Sequence, residues 1–199
     1  MSSLLRNTSG IKNLWGAHEL LNSYEENKDP LFEDVMFGGS QSNGDNFSLV
    51  FDGSNLTLMR GDKKLKSWKG TAGKIGYQSP EFQGLKDKGP LPEGDYDVRQ
   101  SRYQEMGLMD ALKGELGAGK FPGGLGSWGA KRISLVPRNT NEMYGRSGFT
   151  IHGGSIAGSR GCIDLTDQNE DFMRTFRGLG RDLRLKVIYP KDSSTELEE

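Results

Sequence analysis

The segment FSLVFDGSNLTLMRGDKKLKSWKG at residues 47–70 sets the expectation for the fold, because short apolar runs alternate in it with turn sequences. The connectors DGSN and GDKK are rich in the residues that tight turns favour. The segment therefore predicts a meander of at least three strands, FSLVF, LTLMR and LKSWKG.

Further strand candidates follow this meander, and the last of them ends before Pro190. They are GDYDVRQ at 94–100, KRISLVP at 131–137, GFTIHG at 148–153, GCIDL at 161–165 and LRLKVIY at 183–189. Helical periodicity predicts helices over 103–116 and 167–178, the second beginning with a capping pattern of Asp167 and Glu170. About eight short strands with two or three short helices predict a mainly β fold of the sandwich or barrel type.

The composition agrees with such a fold and excludes several others. Glycine accounts for 29 of the 199 residues, which disfavours a helical bundle because glycine destabilises a helix interior by roughly 0.8–1.0 kcal/mol relative to alanine. The 26 basic and 27 acidic side chains nearly cancel, so nucleic acid is not an expected partner. No stretch has the apolar length that a membrane helix needs, so membrane insertion is not expected either.

The chain divides into three parts of different character. Residues 1–42 hold one short helical stripe and an acidic connector, and predict a helical appendage and linker that either docks on the main domain or serves delivery or regulation. Residues 43–190 form the predicted main domain, and residues 191–199 a polar tail. Within the main domain, KFPGGLGSWG at 120–129 predicts an irregular surface loop, with a lid as the alternative. The N-terminus lacks the apolar core of a secretory signal, so synthesis in the cytoplasm without a signal peptide is expected.

The residues that carry chemistry lie in FTIHGGSIAGSRGCIDL at 149–165. This segment places His152 at the end of one predicted strand and Cys162, the only cysteine, at the start of the next. Acyl transfer needs a thiol, an imidazole that deprotonates it, and backbone N–H groups that stabilise the oxyanion, for which Gly161 and Cys162 are the candidates. Ser159 is placed to bond the imidazole or the oxyanion, or else only to stabilise the turn. A buried structural cysteine beside a satisfied core histidine is the alternative for the pair.

The order of the two residues argues against other kinds of cysteine site. Papain-like enzymes place the cysteine well before the histidine, and caspases place the histidine about 50 residues before the cysteine. In this chain the histidine precedes the cysteine by ten residues. A zinc site needs about four ligands, which one cysteine and the distant His18 do not supply. The chemistry therefore calls for no metal and no organic cofactor.

The pattern H-x6-S-x-G-C, formed by His152, Ser159, Gly161 and Cys162, resembles the catalytic motif of the L,D-transpeptidase (YkuD-type) domain. Its compact spacing is similar to that of the type VI secretion L,D-transpeptidase effector (Tlde) branch. A second segment, GPLPEGDYDV at 89–98, is similar to the proline-containing segment that leads into a core strand of this family. The resemblance implies an L,D-transpeptidase-like fold for the main domain.

One departure from the family pattern concerns the carboxylate of the substrate. The family carries an arginine two positions after the cysteine, where this chain has Asp164. Arg146 is the candidate replacement, since a guanidinium binds a carboxylate through two hydrogen bonds; a solvated surface arginine is the alternative. Trp128 and Tyr77 are candidates for lining a substrate groove, with core packing as the alternative for each.

The resemblance implies an antibacterial type VI secretion effector that acts on peptidoglycan stem peptides through a thioester on Cys162. It would act as a cysteine L,D-carboxypeptidase, as an L,D-transpeptidase that exchanges D-amino acids, or as both. The implied partners are secretion components and a cognate immunity protein, and the implied place of action is the periplasm of a target bacterium. The alternatives are a non-toxic cell-wall L,D-transpeptidase, a catalytically idle wall-binding module, and a general cysteine amidase acting on another peptide.

Overall fold

The computed structural model describes residues 46–155 and 157–190, so the predictions for 1–42 and 191–199 lie outside the described residues. The described part is mainly β, with nine strands in one sheet, three short α-helices and two 3₁₀ turns. This confirms the prediction of a mainly β fold with a few short helices. Of the helices described, none has the length and apolar character that crossing a bilayer requires.

The predicted strands all have counterparts in the structure, and β4 is an additional strand. The strands are β1 (Phe47–Phe51), β2 (Asn55–Arg60), β3 (Lys63–Lys69), β4 (Thr71–Ala72), β5 (Gly94–Glu105), β6 (Lys131–Pro137), β7 (Thr150–His152), β8 (Ile163–Asp164) and β9 (Leu183–Val187). The α-helices are α1 (Leu108–Glu115), α2 (Gly124–Trp128) and α3 (Asn169–Leu179), and the 3₁₀ turns are Pro80–Phe82 and Thr166–Gln168.

The sheet curls until its two edges come together at a single glycine. Its strand order is β3-β2-β1-β9-β5-β6-β7-β8-β4, and the edge strands β3 and β4 are separated in the chain by Gly70 alone. There is no room for a side chain at this junction, because a Cβ on Gly70 would lie 2.6 Å from Leu165 Cδ2 and 3.1 Å from the Asp164 carbonyl oxygen. Gly70 therefore closes the sheet beside β8, the strand that directly follows the predicted nucleophile.

The core lies under α3 and the alternating faces of the strands. Every second residue of β1 and of β9 is buried, as expected for strands with one face on a core. On α3, the side chains of Phe172, Met173 and Phe176 are almost fully buried. The ring of Trp68 on β3 meets that of Phe172 edge-on at 5.1 Å, and its indole N–H donates to Asp171 at 2.6 Å. These contacts fasten α3 to the edge of the sheet.

The helix predicted over 103–116 is shorter than its periodicity suggested. Tyr103, Gln104 and Glu105 pair with β6 and so extend β5. The helix α1 therefore begins only at Leu108, and the apolar side chains predicted from the periodicity lie on a largely exposed surface. The exposed residues there are Leu108, Met109, Leu112 and Leu116.

Two further local predictions are wrong. The capping pattern of Asp167 and Glu170 does not form, because Gln168 is the N-cap of α3 and Glu170 pairs with Lys131 instead. The stretch 120–129 is not irregular throughout, since five of its residues form α2. This short helix lies against the predicted catalytic loop, as described below.

Substitution of Gly70 tests the closure of the sheet. We expect Gly70→Ala to lower the free energy of unfolding by about 1–3 kcal/mol, the usual cost of forcing volume into a packed site. Urea unfolding followed by tryptophan fluorescence measures this change. Gly84→Ala is the matched control, because a Cβ there makes only ordinary contacts with Tyr144. Equal losses in the two variants would contradict the role given to Gly70.

Candidate active site

The parallel pairing of β7 with β8 brings His152 and Cys162 together. Ile151 lies opposite Ile163, so Cys162, immediately before β8, reaches the start of β7. There its sulfur accepts a hydrogen bond from the backbone N–H of Thr150 at 3.4 Å. Both the imidazole and the thiol are buried. The structure thus places the two predicted catalytic residues on neighbouring strands, linked by the glycine-rich loop.

The imidazole is held in one orientation by the backbone. Nδ1 of His152 lies 2.7 Å from the carbonyl oxygen of Gly153. A carbonyl oxygen only accepts hydrogen bonds, so Nδ1 carries a proton and Nε2 is the nitrogen that exchanges one. The sequence offered no obvious Asp or Asn for this supporting role, and a backbone carbonyl fills it.

The thiol and the imidazole stabilise each other's charged form. Burial alone lowers the pKa of His152 and raises that of Cys162. The hydrogen bond between the two side chains and the attraction of their opposite charges outweigh burial, so the pKa of His152 is raised and that of Cys162 is lowered overall. The N–H of Thr150 also favours the thiolate. Both shifts act in the direction of a thiolate–imidazolium pair, the form in which cysteine is nucleophilic.

Asp164 stands where the resembling family has arginine, and its carboxylate organises the loop. Its two oxygens accept hydrogen bonds from the N–H groups of Thr166 at 2.9 Å and Gly158 at 3.2 Å. Burial raises the pKa of Asp164, while these two bonds and the charge of His152 act in the opposite direction. The carboxylate thus connects the catalytic loop at Gly158 to the turn that follows β8 at Thr166.

Within residues 46–155 and 157–190, the Ser159 hydroxyl bonds only backbone groups. It donates to the carbonyl oxygen of Cys162 at 2.5 Å and accepts from the N–H groups of Gly161 at 3.2 Å and Gly73 at 3.3 Å. This geometry favours the turn-stabilising role over contact with the imidazole. Because the Gly161 N–H is engaged by the hydroxyl, the Cys162 N–H is the better candidate of the two predicted oxyanion donors.

Arg146 is buried among backbone carbonyls. Its guanidinium donates four hydrogen bonds of 2.5–3.1 Å, and their acceptors are the carbonyl oxygens of Gln83, Gly89, Pro90 and Arg160. It also lies against the ring of Phe149. A Cβ on Gly161, where φ is +111°, would collide with this guanidinium, so glycine is needed there. The arrangement favours a structural role, in which Arg146 ties the segment 83–90 to the loop before the nucleophile, over the predicted carboxylate contact.

Trp128 forms a wall of the site. Its indole lies 5.1 Å from the imidazole of His152, ring centre to ring centre. The helix α2 that carries it approaches the catalytic loop backbone to backbone, since Ser155 N–H donates to the Gly126 carbonyl at 2.9 Å. A Cβ on Gly154 would lie 2.5 Å from the same oxygen. The glycines of both segments therefore serve this close approach, and the 120–129 stretch borders the site.

Tyr77 lies on a neighbouring segment. Its half-buried ring packs edge-on against Phe82 at 5.4 Å, with the ammonium of Lys88 4.9 Å from the ring centre. The segment reaches the site through Gly73, whose carbonyl accepts from the Ser159 N–H at 3.1 Å. The contacts described for Tyr77 favour packing, and groove lining stays a prediction.

The structure adds Arg132 on β6, which sequence reasoning missed. It lies directly opposite His152 in the antiparallel pairing of β6 with β7. Its guanidinium carbon is 4.0 Å from the ring centre of Phe121 and 4.6 Å from that of Trp128, and its Nε donates to Gln104 at 2.8 Å. A cation therefore lies beside the candidate base.

The strand KRISLVP contained a signal for this residue. Ile133 and Leu135 are the core-facing residues of the strand, so alternation assigns Arg132 to the opposite face. What the sequence does not show is that this face meets His152, because that depends on which strand becomes the neighbour of β6.

The ion pair predicts how the alkylation of Cys162 by iodoacetamide depends on pH. Because the pKa of Cys162 is lowered, the wild type should still be alkylated at pH values at which ordinary thiols are protonated and react slowly. Its alkylation rate should fall only at the lower pH at which the Cys162 thiolate itself is protonated. In His152→Ala burial acts on the thiol without its partner, so its pKa rises and the neutral-pH rate falls about tenfold for each unit of pKa. Intact-protein mass spectrometry measures both rates. In denaturant the two proteins should react equally, and equal rates in the native state would contradict the ion pair.

Among solved structures, several similar ones are L,D-transpeptidases. L,D-transpeptidase 1 of Mycobacterium tuberculosis is 16% identical with a TM-score of 0.39, over 73% of this chain and 63% of that one. An L,D-transpeptidase from Xylanimonas cellulosilytica is 14% identical with a TM-score of 0.42, over 75% and 63%. One from Stackebrandtia nassauensis is 11% identical with a TM-score of 0.40, over 82% and 65%. The chain thus spans less than two thirds of each of these proteins.

A family model agrees with the motif that carries the site. Among curated proteins the search finds no match. The model described as the Tlde1 domain matches residues 63–189, well over half of the chain, and this range includes both His152 and Cys162. The chain belongs to the Tlde1 domain family of type VI L,D-transpeptidase effectors.

Proposed function

We propose that this protein is an antibacterial effector that cleaves peptidoglycan stem peptides, with Cys162 as nucleophile and His152 as the group that moves protons. The observation that carries the proposal is the buried pair of thiol and imidazole, whose pKa values are shifted toward the charged forms. Membership of the Tlde1 family supports peptidoglycan as the substrate class.

The first half of the reaction forms a thioester. The Cys162 thiolate attacks the carbonyl carbon of the third stem residue, which the family resemblance gives as diaminopimelate, and the bond to the nitrogen of the terminal D-alanine breaks. The Cys162 N–H is the candidate donor to the oxyanion. The imidazolium of His152 gives its Nε2 proton to the departing amine, while the Gly153 carbonyl holds Nδ1–H and keeps the ring in place.

The second half of the reaction returns the enzyme to its starting state. The neutral imidazole takes a proton from the incoming nucleophile, which attacks the thioester carbon, and Cys162 leaves as a thiolate. Water as the nucleophile makes the protein an L,D-carboxypeptidase. The amine of a free D-amino acid makes it an exchange enzyme. Both outcomes use the same two residues and need no cofactor.

The proposed biological role is supported by the family membership alone. A type VI effector is delivered into the periplasm of a target bacterium, where its substrate is the growing wall. Stem peptides that have been trimmed or capped can no longer serve as donors for cross-linking, and the wall weakens. The producing cell then needs a cognate immunity protein, which we propose covers the site around His152 and Cys162.

Product analysis on purified muropeptides tests the activity. We expect the wild type to release the terminal alanine from disaccharide tetrapeptides, and to give a mass shift to the swapped residue when a free D-amino acid is added. Cys162→Ala should do neither, since no thioester can form. Arg102→Gln, at an exposed position on β5, is the control for a neutral surface change. If the folded wild type leaves the masses of the muropeptides unchanged, neither the proposed hydrolysis nor the proposed exchange occurs.

Expression in a Gram-negative host tests the antibacterial role separately. The chain directed to the periplasm by an added signal sequence should arrest growth and distort cell shape, whereas the same chain kept in the cytoplasm should not. Cys162→Ala in the periplasm should be harmless at equal protein level. If Cys162→Ala arrests growth as strongly as the wild type, or if the wild type is harmless, the toxin proposal is wrong.

A further inference from the structure

We propose that Arg132 binds the free carboxylate of the leaving D-residue and thereby restricts the substrate to stem peptides that end in that carboxylate. This inference rests on the proposed function, because it names the substrate feature that the same site reads. It assigns the recognition role to a residue outside the motif.

The position of Arg132 matches the position of that carboxylate in the substrate. In the stem peptide, the terminal carboxylate is separated from the scissile carbonyl only by the peptide nitrogen and one α-carbon, so its receptor must border the reacting pair. Arg132 lies directly opposite His152 across β6 and β7. Residues paired in this way point to the same face with Cβ atoms about 4.5–5.5 Å apart.

The register also explains how the chain dispenses with the arginine of the resembling family. Arg132, His152 and Asp164 form one row across the adjacent strands β6, β7 and β8. In the family pattern the arginine occupies the β8 position of this row, where Asp164 here fixes the loop backbone. Arg132 supplies a guanidinium from the β6 position, on the other side of the same histidine.

The guanidinium is preorganised to bind a planar anion. Its carbon lies 4.0 Å from the ring centre of Phe121 and 4.6 Å from that of Trp128, and these two rings stand nearly perpendicular to each other. Gln104 accepts from Nε at 2.8 Å and so fixes the plane of the group. Neither of its two Nη groups donates a hydrogen bond to any residue in 46–155 or 157–190, so both are available to a ligand. A carboxylate accepts from such a pair of donors through two parallel hydrogen bonds.

The electrostatic surroundings favour an incoming anion. Arg132 is half-buried, and burial lowers its pKa, while the charges of Cys162 and of Asp110 on α1 raise it. An arginine remains charged at neutral pH in spite of this. The substrate carboxylate would compensate a cation that has lost part of its hydration. Arg146 does not offer this, because its donors are already engaged by four carbonyl oxygens.

The test compares two substrates that differ in one group. A tetrapeptide stem with a terminal D-alanine carboxylate and the same stem ending in D-alanine carboxamide are given to wild type, Arg132→Gln, Arg132→Lys and the control Arg102→Gln. For the wild type and the control we expect kcat/KM to favour the carboxylate by about tenfold or more, as charge-assisted hydrogen bonds predict. Arg132→Gln should lose this preference, mainly through a higher KM for the carboxylate substrate. Arg132→Lys should keep part of it, because it retains the charge without the paired Nη groups.

Within one variant, the ratio of kcat/KM for the carboxylate substrate to kcat/KM for the carboxamide substrate does not depend on the reactivity of Cys162, because that reactivity affects both values equally. Alkylation by iodoacetamide measures any change in the reactivity of Cys162 independently. If Arg132→Gln does not fold, as judged by its thermal unfolding, Arg132→Lys carries the comparison. A wild type that cleaves both substrates equally, or an Arg132 variant that keeps the full preference, overturns this proposal while the proposed function stands. A folded wild type that cleaves neither substrate overturns the proposed function and this inference together.

Discussion

The site depends on two buried groups that would each be neutral alone. Burial opposes charge on both the imidazole of His152 and the thiol of Cys162, and the largest contribution that counters burial on each comes from the other. The pair is therefore sensitive to small displacements. Backbone groups limit such movement on each side: the Gly153 carbonyl holds the imidazole, and the Thr150 N–H holds the sulfur.

The surrounding architecture serves to keep this pair in place. The strands β7 and β8 are short and wholly buried, and β8 lies beside the point where Gly70 closes the sheet. Beside them, three side chains bond the backbone of the catalytic loop at Gly158, Arg160 and Gly161. They are the Asp164 carboxylate, the Arg146 guanidinium and the Ser159 hydroxyl. Polar side chains that in isolation suggest catalysis or binding thus act here mainly on the shape of the loop.

Much of the fold and the reacting pair could be predicted from the sequence, because both rest on local signals. Alternation within runs such as KRISLVP and turn residues between them are read over a few positions. His152 and Cys162 share one motif. The role of Arg146 could not be read in this way, since the carbonyls that engage it belong to distant segments. Arg132 was missed for the same reason: its importance arises from the pairing of β6 with β7.

We propose that Cys162 is a thiolate in the resting protein because His152 is an imidazolium. The ultraviolet absorbance of the thiolate measures this directly, as the difference between the wild type and Cys162→Ser followed across pH. We expect a thiolate signal that is present at neutral pH, persists below the pH range in which ordinary thiols ionise, and is lost at neutral pH in His152→Ala. A signal that appears only at alkaline pH, and at the same pH in both proteins, would contradict it.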